Sequence, residues 1–480
     1  MYPKTTRQRY RHHDKTGISK NDNMKFYESE YEEALIDLLT AKGWSHTHGS
    51  TLHRNNREVI IRNDLCNYLR RQYSELEEHD IDEVVNHLRY VDGQTHFDRL
   101  RNTYKLERDG YRYVRHDDGK AFDVTYIDFD DPSRNIFRVV NQFEVGYGQQ
   151  QDVRIPDVIL FVNGIPLCVF ELKNPADANA TIADAYKQIH TRYIRDIPHL
   201  LRYCPLSCIS DATKNNTKLG TTYAPYEHYY AWKKVNNEDP AARRGIDQVR
   251  TIVKGVYEPT RFLEILRDYV YFPDAKSDRE EEVVCRYPQF FATRLLRDHV
   301  LKAYAADDRK GGTYFGATGC GKTYTMMFLA RQLSLRCPKL KSPTIVMIVD
   351  REDLQNQAGI LFMRSEEYLS MGAVQVIPSR KVLGEEMSAR KSGGFFICTI
   401  QKFCEETGLL NDRHNIICFS DEAHRTQVRL NTQLKVKDGS DGGEIGAFVT
   451  KPYAELLRTA FPNATFVGFT GTPIDDTIQV

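Results

Sequence analysis

The chain has 480 residues, and its 66 lysines and arginines balance 66 aspartates and glutamates, giving a formal net charge of zero. That balance argues against nucleic-acid binding over the whole surface but leaves room for local basic grooves. With 41% hydrophobic and 28% charged residues, collagen-like and wholly disordered chains are excluded. The length predicts about three domains. No stretch reaches the ~18 apolar residues of a membrane span. The 10 scattered cysteines, with no secretory signal, predict free thiols and a cytoplasmic location.

The first half of the chain is predicted to be an arm followed by an α+β region. Residues 1–25 carry seven lysines and arginines against two aspartates, which predicts a basic, flexible arm. In the region 26–272, Leu35, Leu38 and Leu39 share one face of a predicted helix. The middle of this region is rich in predicted strands.

The pattern changes in the second half of the chain. A polar, acidic stretch at 273–285 offers little to bury and is predicted to be a linker. Over residues 286–480, short apolar runs alternate with helical segments, which implies a parallel sheet covered on both faces. Residues 437–446, rich in Gly, Asp and Ser, are expected to be a flexible loop. The predicted strands are 344–349, 395–399, 416–419 and 465–469.

Three residues of a predicted β-hairpin have the chemistry of a phosphodiester-cleaving site. Asp157 precedes the first strand, an Asn-Gly turn follows, and Glu171 and Lys173 lie two apart on the second strand, on one face. Two carboxylates can hold Mg²⁺, which activates water, while a lysine orients the water or offsets charge. We predict Asp157 and Glu171 as metal ligands and all three as catalytic residues. The alternative is a half-exposed strand with alternating charges.

The spacing of this hairpin makes a geometric demand. A strict two-residue Asn-Gly turn places Asp157 opposite Phe170 and leaves Glu171 on the other face of the sheet. A shared metal site therefore requires an extra loop residue or a bulge. Pro156 favours an irregularity nearby because proline lacks an N–H donor. We predict that the register of this hairpin is broken.

Residues 316–323 match the phosphate-binding pattern G-x-x-x-x-G-K-[ST]. A predicted strand precedes the pattern and a predicted helix follows it, so backbone N–H groups and the helix N-terminus can neutralise phosphate charge. Lys322 is predicted to reach the β/γ-phosphates of ATP and Thr323 to hold Mg²⁺. A Gly-rich turn before an ordinary helix is the alternative. The predicted nucleotide-binding residues are Gly316, Ala317, Thr318, Gly319, Cys320, Gly321, Lys322 and Thr323.

A second set of acidic residues follows about a hundred residues later. There an apolar strand ends in Asp421 and Glu422. Asp421 is predicted to bind Mg²⁺ through water, and Glu422 to orient the water that attacks the γ-phosphate. Alone, this short motif is equally typical of a helix cap. After a phosphate loop, in a predicted parallel sheet, it indicates an ATPase.

These motifs resemble those of superfamily 2 helicases and translocases, and in particular the R (motor and endonuclease) subunit of type I restriction enzymes. The resemblance implies that Asp421, Glu422 and His424 belong to the nucleotide site. It also implies that Gln289 occupies the place of the adenine-contacting glutamine. The segments that carry the resemblance are 350–357 (motif Ia), 399–403 (motif Ib), 420–425 (motif II) and 468–473 (motif III).

The hairpin resembles the PD-(D/E)xK nuclease centre of the same R subunits. The family carries a Gln-x-x-x-Tyr element on the next helix, but here Gln188 and Tyr193 are five residues apart. In a regular helix five residues turn through ~140°, against ~40° for four. Gln188 is therefore assigned to the catalytic site, whereas Tyr193 is not. The resemblance also suggests a DNA contact at Lys218. In this fold a glutamate of the first helix, here Glu32 or Glu33, sometimes joins the metal site, although a solvated helix face is more typical for either one.

The predicted fold is α/β and α+β multidomain: a PD-(D/E)xK nuclease-like domain at 26–272 and a RecA-like parallel-sheet lobe at 286–480. The resemblance implies ATP-dependent translocation on double-stranded DNA coupled to Mg²⁺-dependent cleavage. It implies a complex with modification (methyltransferase) and specificity subunits, and no membrane. The family's second RecA-like lobe is absent from this sequence, so we expect a truncated chain. The alternatives are another ATP-dependent helicase-nuclease, or a truncated protein that binds DNA or the assembly without cutting.

Overall fold

The computed structural model describes most of the chain. The predicted loop at 437–446 lies outside the described residues, as does most of the predicted arm. The last part of the arm is helical, because the first helix begins at Lys20 rather than at residue 26. The described ranges are 20–149, 152–173, 181–211, 217–242, 245–273, 280–317, 319–404, 407–421, 433–436, 447–450 and 453–471.

A seven-stranded mixed sheet organises the first half of the chain. The strands there are β1 (Ser45–His48), β2 (Tyr111–Val114), β3 (Ala121–Val124), β4 (Phe137–Asn141), β5 (Val145–Tyr147), β6 (Asp152–Arg154), β7 (Val158–Val162), β8 (Ile165–Leu172), β9 (Leu206–Ser210), β10 (Thr217–Thr221) and β11 (Tyr230–Ala231). The sheet order is β1-β4-β7-β8-β9-β10-β11, while β2–β3 and β5–β6 form separate hairpins. Every residue of β7 and β8 is buried, as their runs of apolar side chains predict for central strands.

Helices pack on this sheet. Leu35 and Leu39 are buried on the first helix, as predicted. The fourth helix begins where the Thr95 hydroxyl accepts a bond from Asp98 N at 3.0 Å, and ends at Gly110. The helices of this half are α1 (Lys20–Thr40), α2 (Arg62–Gln72), α3 (Glu78–Arg89), α4 (His96–Asp109), α5 (Ile182–Lys187), the π-helix Gln188–Tyr193, α6 (Ile194–Asp196) and α7 (Pro198–Leu201).

We call residues 245–273 and 280–285 the connector. It contains helices α8 (Ile246–Gly255) and α9 (Pro259–Asp268), and strands β12 (Val270–Tyr271) and β13 (Val283–Val284), which pair antiparallel. The linker predicted at 273–285 is therefore in part a strand. Glu282 in the same stretch is only 5% exposed. The polar composition that predicted a linker did not reveal that this segment packs between the two halves.

A six-stranded parallel sheet organises the second half, as predicted. Its order is β14-β21-β18-β15-β17-β16, and the four strands expected from apolar runs are all present. The strands are β14 (Lys310–Phe315), β15 (Thr344–Val349), β16 (Val374–Val376), β17 (Phe395–Thr399), β18 (Ile416–Asp421), the separate hairpin β19 (Gln433–Val436) and β20 (Ala447–Thr450), and β21 (Thr465–Thr470). The helices are α10 (Tyr287–Ala306), α11 (Lys322–Leu335), α12 (Glu352–Met363), α13 (Glu366–Leu369), α14 (Arg380–Ala389) and α15 (Tyr453–Ala460).

Aromatic side chains of the connector join the two halves in one hydrophobic core. Tyr257 packs on Phe170 of the first sheet, with ring centroids 4.8 Å apart. Tyr269 packs on Phe290 and Phe328 of the second half, at 5.1 and 5.3 Å. The two sheets therefore share buried apolar surface. Among the described residues, no helix is both long and apolar enough to cross a membrane.

Candidate functional sites

The predicted register break is present in the β7–β8 hairpin. Asn163 and Gly164 form the two-residue turn. Their φ angles are 52° and 78°, and positive values at both positions are typical of a type I′ hairpin turn. The pairing shifts between Leu160 and Phe161, because Phe161 pairs with Pro166 and Leu160 with Cys168. The unpaired residue lies between these two partners, at position 167.

The bulge brings the two acidic residues opposite each other. Val158 pairs with Phe170, so the preceding residue, Asp157, falls level with Glu171. The expected irregularity is confirmed, but its expected place beside Pro156 was wrong. It adjoins Pro166, the other proline of the hairpin, which also lacks a donor for the ladder.

The three predicted nuclease residues come together at the end of β8. Asp157 Oδ2 accepts a bond from the backbone N–H of Leu172 at 2.6 Å. Lys173 Nζ donates to Glu171 Oε1 at 2.7 Å. Glu171 is fully buried, and a buried carboxylate is stable only with such partners. The arrangement places two carboxylates and one ammonium together where β7 begins and β8 ends, on two neighbouring central strands.

Tyr193 also lies in this site, although the spacing argument left it out of the predicted set. The segment Gln188–Tyr193 is a π-helix, in which residue i bonds to residue i+5, so residues five apart lie on one side. The Tyr193 hydroxyl donates to Glu171 Oε2 and accepts from Gln188 Nε2, both at 2.9 Å. Lys173 Nζ donates to Gln188 Oε1 at 3.1 Å, which closes a ring of four hydrogen bonds. Our assumption of a regular helix was wrong, and the five-residue spacing was itself the signal of a π-helix.

The environment keeps Tyr193 a hydrogen-bond donor. Its side chain is 1% exposed. Burial, followed by the charges of Glu171 and Asp157, raises the pKa of Tyr193 well above its usual value. The phenol therefore stays protonated at neutral pH and can hold one carboxylate oxygen of Glu171 in place.

The first helix contributes a further acid near this site. Glu33 is exposed, as expected, but Glu32 is buried, so the expectation of a solvated position was wrong for Glu32. Asn141 Nδ2 donates to Glu32 Oε1 at 2.6 Å. Asn141 pairs with Val158, the residue after Asp157. Glu32 therefore lies by the strand end that presents Asp157.

The donor set fits a magnesium ion. Mg²⁺ is usually held by one or two carboxylates together with waters and phosphate oxygens. Asp157 and Glu171 supply that number of carboxylates. Within the described part of the chain, no group of three His, Cys, Asp or Glu residues is arranged to hold a metal by itself. The pair therefore fits an ion that is also held by substrate phosphate.

The predicted phosphate loop connects β14 to α11. Gly319 and Gly321 have φ of 79° and 88°, which glycine adopts without strain, and Gly321 caps the helix. Lys322 Nζ lies 3.4 Å from Gly316 O, so the lysine folds back over the loop. Thr318 lies outside the described residues. The strand, loop and helix occur as predicted, and the helix N-terminus faces the loop.

Asp421 lies at the same edge of the second sheet. Asp421 is the last residue of β18 and pairs with Phe469 of β21. The residue after Phe469 is Thr470, and its carbonyl oxygen accepts a bond from Gly316 N at 3.0 Å. One strand thus separates Asp421 from the phosphate loop. Glu422 and His424 lie outside the described residues, as does the end of the expected motif III.

Gln289 contacts the phosphate loop directly. It is 4% exposed, and its Nε2 donates to Gly321 O at 3.1 Å. Its Oε1 accepts from the backbone N–H of Arg286 at 2.8 Å. The expected adenine contact stays a prediction.

Lys218 lies on β10 of the first sheet. Its ammonium is 4.5 Å from the centre of the Tyr226 ring, and the expected DNA contact also stays a prediction.

Known families match both halves of the chain. The N-terminal family of type I restriction enzyme R proteins (HSDR_N) matches residues 25–227, and the SWI2/SNF2 ATPase family matches 288–479. The chain is 33% identical over 464 residues to the type I restriction enzyme HindI endonuclease subunit of Haemophilus influenzae, covering 93% of this chain and 42% of that protein. This chain belongs to the type I restriction enzyme R protein family.

A second relative matches nearly the same share of this chain. The putative type I restriction enzyme MjaIXP endonuclease subunit of Methanocaldococcus jannaschii is 28% identical over 486 residues, covering 92% of this chain and 42% of that protein. The chain thus spans about 42% of the length of each of these two endonuclease subunits. A solved structure of S. cerevisiae dbp5 bound to adp covers 39% of this chain and 46% of its own, with 14% identity and a TM-score of 0.24. We base no argument on that likeness.

Proposed function

We propose that this chain supplies the endonuclease centre and the first ATPase lobe of a type I restriction enzyme. The observation that carries the proposal is the bulge in the β7–β8 hairpin, because it sets Asp157 level with Glu171 beside Lys173. A hairpin with a regular register would separate these groups onto two faces.

Each side chain has a role in cleavage under this proposal. Asp157 and Glu171 would hold Mg²⁺, which would activate water and stabilise charge on the phosphate. Lys173 would orient the attacking water or offset charge on the scissile phosphate. Tyr193 and Gln188 keep Glu171 and Lys173 oriented through the ring of hydrogen bonds. Glu32 is a candidate for a third carboxylate beside the metal ion.

The second site is proposed to bind and hydrolyse ATP. Backbone N–H groups of residues 316–323 and the start of α11 surround the phosphates, and Lys322 reaches the β/γ-phosphates. Thr323 and Asp421 would hold Mg²⁺ there, and Glu422 would orient the attacking water. The proximity of Thr470 and Asp421 to the loop supports this assignment.

For the whole protein, we propose the activity of its family. ATP hydrolysis would drive translocation on double-stranded DNA, and the nuclease would cut unmethylated DNA away from the recognition site. Modification (methyltransferase) and specificity subunits would select that site. Similarity to endonuclease subunits along 93% of this chain supports the proposal.

Mg²⁺-dependent nicking of supercoiled plasmid by the purified chain tests the nuclease. We expect nicking that Asp157→Asn and Lys173→Ala abolish, because each removes a group from the proposed centre. Lys187→Ala is the matched control, since Lys187 is an exposed lysine on α5, 71% exposed at its side chain. A chain that binds DNA without nicking it at any Mg²⁺ concentration would favour the non-cleaving alternative.

Binding of a fluorescent ATP analogue tests the second site. We expect saturable, Mg²⁺-dependent binding that Lys322→Ala weakens strongly, because the lysine supplies the positive charge at the terminal phosphates. Lys302→Ala, in the neighbouring helix α10, is the control. Equal affinities for all three proteins would contradict the ATPase assignment.

A further inference from the structure

The connector lies outside both matched families. The R protein match ends at residue 227 and the ATPase match begins at residue 288. Its last helical residue, Asp268, is 1% exposed, although aspartate is unfavourable at a helix C-terminus, where the helix dipole is negative. A buried carboxylate at that position needs partners from another element.

Those partners come from the helix that begins at the phosphate loop. Arg336, which caps α11, donates its Nε to Asp268 Oδ1 at 2.9 Å. Arg331 of α11 places its Nε 3.7 Å from the same oxygen. Arg267, the neighbour of Asp268 in the chain, donates to Oδ2 at 3.1 Å. Three guanidinium groups thus surround one carboxylate.

Arg331 is locked at this point by further bonds. It is 3% exposed, and its Nη2 donates to Arg267 O at 3.2 Å. Its Nη1 donates to Tyr368 O, and the Tyr368 hydroxyl donates to Asp268 O. A buried guanidinium without its counter-charge is strongly unfavourable, so we expect loss of Asp268 to displace this end of the helix.

Displacement at Arg331 is amplified at the loop. Lys322 and Arg331 are nine positions apart on one helix, which at 1.5 Å per residue is ~13.5 Å. A tilt of about 5° at Arg331 would therefore move the phosphate loop by roughly 1 Å. Misplacement by about 1 Å can cost on the order of 100-fold in a reaction that depends on geometry.

We propose that Asp268 is a positioning residue of the nucleotide site, supplied by the connector rather than by the ATPase lobe. It fixes the far end of α11, so that the near end presents the phosphate loop in the geometry that binds ATP. This proposal rests on the proposed ATP binding. The segment that matches the ATPase family, residues 288–479, does not include Asp268, although under this proposal its phosphate loop depends on that residue.

The test compares Asp268→Asn with Asp64→Asn in the whole chain. Asp64 is a suitable control, because it is also a buried acid and pairs with Arg138 of the first half at 2.6 and 3.0 Å. Hydrogen exchange without nucleotide is measured at the first turn of α11, and ATP affinity by titration. We expect Asp268→Asn to speed exchange there and to raise the Kd for ATP about tenfold, which corresponds to about 1.4 kcal/mol of binding free energy. We expect wild-type values for Asp64→Asn, even if both variants lose thermal stability.

Two results would overturn the proposal: unchanged exchange and Kd in Asp268→Asn, or equal effects in Asp64→Asn. If Asp268→Asn does not fold, Arg336→Gln tests the same pair from the helix side, where the arginine is 28% exposed. A raised Kd supports the proposal and an unchanged Kd refutes it. If the wild-type chain binds no ATP, the proposed function fails, and the exchange rates alone decide the role of Asp268.

Discussion

Tyr193→Phe probes the nuclease centre with the smallest available change. The substitution removes one hydroxyl group that is bonded to Glu171 and to Gln188, both at 2.9 Å. The ring stays buried, so packing is preserved. Glu171 keeps its bond to Lys173, but its second carboxylate oxygen loses the Tyr193 hydroxyl.

The size of the effect follows from these bonds. A hydrogen bond to a charged group contributes about 1.5–3 kcal/mol. Gln188 is only half-buried, so water can replace the tyrosine on its side, which favours the lower part of that range. At 1.4 kcal/mol per factor of ten, we expect cleavage to slow by roughly 10- to 30-fold. The loss should appear in the rate at saturating Mg²⁺ as well as in Mg²⁺ affinity, because Glu171 is less well oriented.

The assay is single-turnover nicking of plasmid over a range of Mg²⁺ concentrations. Tyr126→Phe is the matched control, because Tyr126 is also fully buried and its hydroxyl donates to Val84 O at 2.8 Å, away from the site. Nicking by Tyr193→Phe at the wild-type rate would refute the reasoning. An equal loss in Tyr126→Phe would show that the effect is on folding.

Three further predictions concern irregular or buried positions. Deleting the exposed Thr191 should convert the π-helix to an α-helix and preserve nicking, whereas an alanine inserted there should abolish it. Gly321→Ala should weaken ATP binding in titration, because φ is 88° and an added Cβ would collide with the Gln289 amide. Burial raises the pKa of Glu107 well above its usual 4.5, so the folded state keeps a proton that the unfolded state loses, and stability falls as pH rises above that value. In urea unfolding, the free energy of unfolding of Glu107→Gln should rise relative to that of wild type by about 1.4 kcal/mol per pH unit from pH ~5 up to the folded-state pKa of Glu107, and then level off. Parallel pH profiles would contradict this.

Local patterns in the sequence predicted the second sheet well. Runs of apolar residues gave its four central strands, because a strand buried on both faces has no polar positions to obscure it. The phosphate loop was also predictable, since Gly319 and Gly321 occupy positions where φ must be positive. In the described region, Asp421 lies where the motif placed it.

Features that depend on packing between distant segments were not predictable. The polar stretch ending at Glu282 looked like a linker, but tertiary contacts bury it between the two halves. The need for a register break followed from the hairpin spacing, yet its place followed from Pro166 rather than Pro156. Tyr193 was left out of the predicted set by a calculation that assumed regular helix geometry, and a π-helix breaks that assumption.

The irregular positions of these elements bear on the proposed function. The bulge in β8, the π-helix and the left-handed Gly321 all break the regular pattern of their elements. Each departure gives up regular hydrogen bonding or favourable backbone geometry, and proteins retain such departures chiefly at functional sites. Here each one moves a proposed site residue into place: Asp157 opposite Glu171, Tyr193 onto Glu171, and the phosphate loop onto its helix. These departures support the proposal of a chain that cleaves DNA over the alternative of a chain that only binds it.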